Sequence, residues 1–328
     1  MIASDSYRGR SVLVTGGAGF IGSHLTDALL AAGAAVTVLD DLSTGYASNL
    51  EHVGSRIRFV RGSVTDADAC REAVQNVRTI FHLAAYVSAA GSVSEPVRCH
   101  ECNTTGTLRI LDEARRRAGS AAPVERIVLA SSAAVYGESE VVPKREDQPV
   151  APVSVYAQSK AAGEHLLQVW SRCYGVDGVA LRFFNVFGPR QRADSAYAAV
   201  IAAFASALLS DKRPIIHGDG EQTRDFIPVA NITDALLAAG AHGDALRGSV
   251  FNVGMGVGTS VNALLSMMRS VLGRPGAADF QAPRAGDVRH SVADVARLRS
   301  ELGWSPRETV KQGMERTLEW YSQQAARA

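Results

Sequence analysis

Tyr156 stands four residues ahead of Lys160 in Tyr156-Ala157-Gln158-Ser159-Lys160. On a helix that spacing puts phenol and ammonium on one face, one turn apart. The chemistry open to such a pair is abstraction of a proton from a hydroxyl. A phenol with a pKa of about 10 is a poor base at neutral pH, but a neighbouring cation favours its phenolate. Upstream, Ser132 lies in Ala130-Ser131-Ser132-Ala133-Ala134, directly after an apolar run that reads as a strand. Carboxyl ends of parallel strands face the ligand crevice, so its hydroxyl can hydrogen-bond the group that Tyr156 deprotonates.

The elements that must position these residues are legible as a repeat. Apolar, β-branched runs recur at 11–15, 35–39, 57–60, 79–83, 126–130 and 179–183, separated by stretches of helical periodicity. The alternation predicts an α/β fold, a Rossmann-type doubly wound parallel sheet covered on both faces. After Asn185-Val186-Phe187-Gly188-Pro189-Arg190 the pattern loosens into short helices and Gly/Pro punctuation, which marks a smaller C-terminal α/β unit. The expected division is 1–185 and 186–328, with the segment near 226–254 returning to the first unit. A single helix is expected from Ser94 to Arg117, and a final amphipathic one over 306–324.

Between the first strand and its helix runs Thr15-Gly16-Gly17-Ala18-Gly19-Phe20-Ile21-Gly22. Glycines at i, i+3 and i+6 in a strand-to-helix turn let backbone approach a pyrophosphate and leave the first helical N–H groups facing the anion. The next strand ends in Asp40, placed to accept the hydroxyls of an adenine ribose. That carboxylate would repel a 2′-phosphate, and Asp41-Leu42-Ser43-Thr44-Gly45 supplies no arginine to hold one, which favours NAD over NADP. The nicotinamide cation is then a second charge favouring the Tyr156 phenolate.

Composition narrows the partners. The 328 residues are 46% hydrophobic and 20% charged, and 34 Lys+Arg against 33 Asp+Glu leave a net charge of +1. With no basic block and no apolar run long enough to span a bilayer, neither nucleic acid nor membrane is expected. Met1 to Arg10 lacks a signal-peptide core, and a cytoplasmic location is expected. Cys99-His100-Glu101-Cys102 has half the spacing of a metal site but no second half, so no metal is expected from the four cysteines, Cys70, Cys99, Cys102 and Cys173.

Together these segments resemble the extended short-chain dehydrogenase/reductase family, in particular its NAD-dependent nucleotide-sugar epimerases and dehydratases. The resemblance runs through His82-Leu83-Ala84-Ala85, Asn103 before Gly106-Thr107, 182–191, 218–226 and 284–290. It implies a coenzyme site built from Gly16, Gly19, Phe20, Ile21 and Gly22 in the turn, and Asp40, Asp41, Leu42, Ser43 and Gly45 after the second strand. Ser63, Val64, Leu83, Ala84, Ala85, Asn103 and Phe183 complete it, with Tyr156 and Lys160. One departure is Gly62-Ser63, where relatives usually carry Gly-Asp, and weaker adenine contacts are expected. For the substrate, the resemblance implies Ser132 and Tyr156 at a sugar C4 hydroxyl. It assigns Asn185, Val200, Arg224, Arg284 and Asp287 to a UDP-sugar, the arginines offering forked donors to diphosphate.

Dehydratases of this family carry Asp-Glu directly after the active-site Ser/Thr, where this chain has Ala133 and Ala134. Without that acid pair the simplest outcome is 4-epimerisation through a transient 4-keto sugar. A dehydrogenase, a dehydratase or a non-catalytic NAD-binding protein are the alternatives. Arg192 matches a position at which UDP-glucuronate epimerases also carry arginine, and tips the sequence reading toward that sugar acid. Ser291, small where strict glucose/galactose epimerases carry tyrosine, leaves room for an N-acetyl group, so UDP-glucose and UDP-N-acetylglucosamine are the alternatives. A homodimer is expected by the same resemblance, with Val155, Ala161, Leu166 and Val169 on the pairing helix.

Overall fold

The computed structural model describes residues 4–192, 200–283 and 288–326. Seven strands form one parallel sheet: β1 Ser11–Thr15, β2 Ala35–Asp40, β3 Ile57–Arg61, β4 Thr79–His82, β5 Arg126–Ser132, β6 Gly178–Phe183 and β7 Ser249–Val253. Their spatial order is β3-β2-β1-β4-β5-β6-β7, the doubly wound arrangement expected. The order reverses between β1 and β4, so a crevice opens past Thr15 and His82, which lie side by side in register.

Alternation along each strand feeds two helical layers. Val12, Val14, Val36, Val38, Val128 and Val179 point into one core, while Leu13, Leu39, Ile127, Leu129 and Ala180 point into the other. The helix Phe20–Ala31 covers the first face together with Val229–Ala241. On the second, the helices Gly106–Arg116 and Val155–Tyr174 pack against each other. The latter starts at Ser154, whose Oγ accepts from the Ala157 N–H at 3.1 Å, and ends at Gly175 in the left-handed region.

A third cluster gathers Phe187, Phe204, Ile216, Phe226, Leu264 and Leu318 from residues beyond 186. Its helices are Val200–Leu209, Val261–Leu272 and Val310–Ala325, the last opened by a capping box between Thr309 and Gln312. The segment between Phe226 and Val253 contributes the Val229–Ala241 helix and β7 to the large sheet and its cover.

The single helix expected from 94 to 117 is instead interrupted. Pro96–His100 is α-helical, Glu101–Thr105 forms a π turn, and α-helix resumes at Gly106. Such bulges concentrate at functional sites, and this one holds Asn103 against the Tyr86 backbone and Ser159.

Candidate active site

The turn after β1 has the shape a pyrophosphate requires. Gly16 has φ +71°, and a Cβ there would lie 2.8 Å from the Ala84 nitrogen, so turn and β4 loop are in backbone contact. At Gly22 a Cβ would lie 2.0 Å from the Gly16 carbonyl oxygen. The following helix begins at Phe20 with Gly19 as N-cap and no side chain capping it. Its first N–H groups therefore face the crevice, with Ile21 in the same turn.

Asp40 closes the other side. It is 7% exposed, its Oδ2 accepts from the Ala18 N–H at 2.9 Å and its Oδ1 from the Leu42 N–H at 2.8 Å. Each oxygen keeps a lone pair for a ribose hydroxyl. Burial pushes its carboxyl upward, and the two backbone donors oppose that shift. The loop carrying Asp41, Ser43 and Gly45 folds over the glycine turn, with the Tyr46 N–H donating to the Ala18 carbonyl at 3.1 Å. Ser43 is held by its N–H on Asp41 Oδ1 at 2.9 Å. Ser63 uses its oxygen to accept from the Thr65 N–H at 3.2 Å and the Thr65 hydroxyl at 2.9 Å, which leaves it only a donor to offer. Val64 is buried against Gly106.

A directed hydrogen-bond chain holds the β4 loop. Thr15 Oγ1 accepts from the Leu83 and Ala84 N–H groups at 3.2 and 3.1 Å, so its own proton goes to His82 Nδ1 at 2.7 Å. Thr107 Oγ1 donates to the Asn103 carbonyl at 2.6 Å, so it accepts from His82 Nε2 at 3.1 Å. The pattern fixes a neutral imidazole with its proton on Nε2. Full burial, with the Lys160 charge adding to it, lowers the His82 pKa from 6.5 to about 3.

Asn103, expected at the coenzyme, is tied to the protein itself. It is buried, its Oδ1 accepts from the Tyr86 N–H at 2.7 Å, and its Nδ2 donates to the Tyr86 carbonyl at 3.0 Å and Ser159 Oγ at 2.8 Å. Both amide hydrogens are thus spent on protein, and the residue braces the loop that follows Ala85. Ser159 passes the brace on, donating to the carbonyl of Tyr156 at 2.7 Å. The Tyr156 N–H is held by Ser92 Oγ at 3.1 Å, a contact no motif announces.

Tyr156 is half-buried, in the first turn of its helix, with the Ser132 hydroxyl near enough to its phenol to oppose the effect of burial. Ser132 ends β5 opposite Phe183 of β6, and its Oγ accepts from the Ala134 N–H at 3.2 Å. Lys160 is buried, lies 5.9 Å from the centre of the Tyr156 ring, and donates through Nζ to the Ala130 carbonyl at 2.9 Å. Burial lowers its pKa from 10.5 to about 8. Burial also raises the Tyr156 phenol, with the Ser132 hydrogen bond opposing it. Burial thus works against the charged form of both groups, so the drive toward phenolate rests on the Lys160 ammonium together with the nicotinamide cation when NAD is bound.

The elements expected at the substrate meet beyond β6. Asn185, exposed, opens a short strand Asn185–Phe187 that pairs with Phe226–Pro228. Thr223–Arg224 runs between Thr259–Ser260 and His290–Ser291, with Ser291 in register beside Arg224. Buried Asp225 stitches these strands: Oδ1 accepts from Met255 N–H at 2.7 Å, and Oδ2 from Gly256 and Ala293 N–H groups at 2.9 and 3.1 Å. Arg224 Nη1 donates to the Thr223 carbonyl at 2.9 Å. Val200 begins the Val200–Leu209 helix, while Arg284 and Asp287 lie outside the described residues. Arg192 has its guanidinium 4.9 Å from the centre of the Tyr46 ring and 3.5 Å from the Thr44 carbonyl, on the loop after Asp40.

Known proteins are similar to this chain in sequence and fold. A family model described as the NAD dependent epimerase/dehydratase family matches residues 12–254. A UDP-glucose 4-epimerase of Mycolicibacterium smegmatis is 42% identical over 94% of this chain and 97% of its own length. The solved UDP-N-acetylglucosamine 4-epimerase of Methanobrevibacter ruminantium superposes with TM-score 0.91 at 36% identity, over 97% of this chain and 99% of that one. Thermus thermophilus UDP-glucose 4-epimerase, solved with NAD, superposes with TM-score 0.84 at 35% identity, covering 95% and 98%. The glycine turn, the uncapped helix and Asp40 fit the coenzyme named there, and the chain belongs to the NAD-dependent epimerase/dehydratase family of extended short-chain dehydrogenases/reductases.

Proposed function

We propose that this protein inverts C4 of a UDP-linked hexose, with neutral sugars, N-acetylated ones included, preferred over glucuronate. The observation that carries the reaction is the Ser132–Tyr156 hydroxyl pair beside Lys160, followed by alanines at 133 and 134. When bound, NAD supplies the acceptor for the C4 hydride and later its donor. Ser132 orients the C4 hydroxyl, and the Tyr156 oxygen takes its proton as the C4 ketone forms. Once the sugar has turned its other face, Tyr156 returns the proton to the alkoxide oxygen. With no acid pair at 133 and 134, nothing there removes the C5 proton or expels the C6 hydroxyl.

Two placements support the sugar preference. Arg192 lies against the Tyr46 ring and the Thr44 carbonyl on the loop after Asp40, which supports a place beside the coenzyme loop over one at a C6 carboxylate. Ser291, half-buried beside Arg224, keeps a small side chain where bulk would exclude an N-acetyl group.

We also propose a homodimer. Ala161 and Leu166 face the protein's own cores, but Val169 and Tyr174 are 48% and 49% exposed, and Val97 on the adjoining helix is 68% exposed. Among the described residues, no helix is long and apolar enough to cross a membrane.

Separate incubations with UDP-glucose, UDP-N-acetylglucosamine and UDP-glucuronate, each product's C4 configuration read by NMR, test the reaction and the preference together. C4 inversion of the neutral sugars is expected. Turnover of glucuronate alone, abolished in Arg192→Ala, would overturn the sugar assignment. Products with C6 deoxygenated would overturn the reaction.

A further inference from the structure

Four residues after Lys160, on the same helical face, lies a buried carboxylate that the reaction does not use. Glu164 is 2% exposed, its Oε1 accepts from Ser131 Oγ at 2.5 Å and from Arg182 Nε at 2.9 Å, and its Oε2 accepts from Arg182 Nη2 at 2.7 Å. Ser131 immediately precedes Ser132. Arg182 lies in register beside Ser131 on β6, with its guanidinium 4.7 Å from the centre of the Tyr136 ring. Tyr136 closes the 3-10 turn that follows Ser132, and its hydroxyl donates to Asn252 Oδ1 at 2.7 Å on β7. The backbone on both sides of Ser132 is thereby fastened to one ion pair, and that pair to the helix carrying Tyr156 and Lys160.

We infer that Glu164 is a positioning residue for Ser132, acting through the Ser131 hydroxyl and Arg182. A buried carboxylate in a forked pair with arginine is geometrically narrow, since both oxygens and the planar guanidinium must align. The hydrogen bond that Ser131, next to the reacting hydroxyl, donates to it transmits that narrowness to the site, where small displacements cost rate. The inference rests on the proposed role of Ser132 at the sugar C4 hydroxyl.

Replacing Glu164 would strand Arg182 as an unpaired buried charge and endanger the fold. Ser131→Ala removes only the link, leaving the ion pair whole, and is the informative variant. Rates are expressed per mole of coenzyme-bound enzyme, so any misfolded fraction drops out. We expect kcat for the UDP-hexose to fall about tenfold with KM within about twofold, and Ser131→Thr, which keeps the hydroxyl, to recover most of the loss. A Ser131→Ala enzyme with unchanged kcat, or equal losses in the Ala and Thr variants, would overturn the inference while the wild-type turnover upheld the functional reading. A wild-type protein inactive at C4 would overturn both.

Discussion

His82 offers a test in which the pH dependence of stability reports on the coenzyme loop. Its imidazole is enclosed between Thr15 and Thr107, with one nitrogen accepting and the other donating, and a second proton has no acceptor there. In the unfolded chain it takes that proton at its ordinary 6.5, whereas the folded pKa is lowered to about 3 by burial and the Lys160 charge. Between those values the unfolded state binds more protons, so acid favours unfolding. The contribution is fully present above 6.5, declines at about 1.4 kcal/mol per pH unit below it, and levels off below 3. From pH 7 to pH 5 the loss from this one group is about 2 kcal/mol. His82→Gln keeps an acceptor and a donor but does not titrate. Urea unfolding of both proteins at pH 7 and pH 5, with saturating NAD in all samples, measures the difference. We expect the wild type to lose about 2 kcal/mol more than the variant across that interval. Parallel losses in the two proteins would refute the buried, singly protonated imidazole and with it the hydrogen-bond chain that holds Leu83 and Ala84.

Other outcomes follow from the same geometry. Gly22→Ala places a Cβ against the Gly16 carbonyl, so the purified variant should lose its coenzyme, read from absorbance after denaturation, while retaining its far-UV spectrum. Tyr156→Phe removes the proton acceptor and should lower kcat by at least about a hundredfold with coenzyme content unchanged. Lys160, with its pKa lowered to about 8, is charged below that pH and neutral above it. An alkaline loss of kcat near pH 8 is therefore expected, and Lys160→Arg, whose guanidinium stays charged, should not show that limb.

Much of the scaffold is legible in the residues because local period and burial agree there. β1, the glycine turn, its helix and Asp40 arrive in order, and every one of those steps is specified within a few residues. The π turn at Glu101–Thr105 escapes such reading, since its residues suit an ordinary helix and the preference comes from Asn103 reaching Tyr86 and Ser159. Ser92 under Tyr156, Asp225 among the substrate strands and the Glu164–Arg182 pair escape it for the same reason: their partners are distant in sequence. Glu164 does leave a faint signal, a carboxylate one turn beyond Lys160 on a face that must be buried. Arg192 is likewise hard to read locally, for its contact with the Tyr46 ring joins two loops far apart in sequence.

The central claim is that Tyr156 and Ser132 act on C4 and that the hydrogen removed there goes back to the same carbon. Incubating the enzyme with UDP-glucose deuterated at C4, in ordinary water, and locating the label in the product tests this most directly. The account predicts a 4-epimer with deuterium retained at C4 and no free NADH. Label lost to solvent, or appearing in released coenzyme, would contradict it.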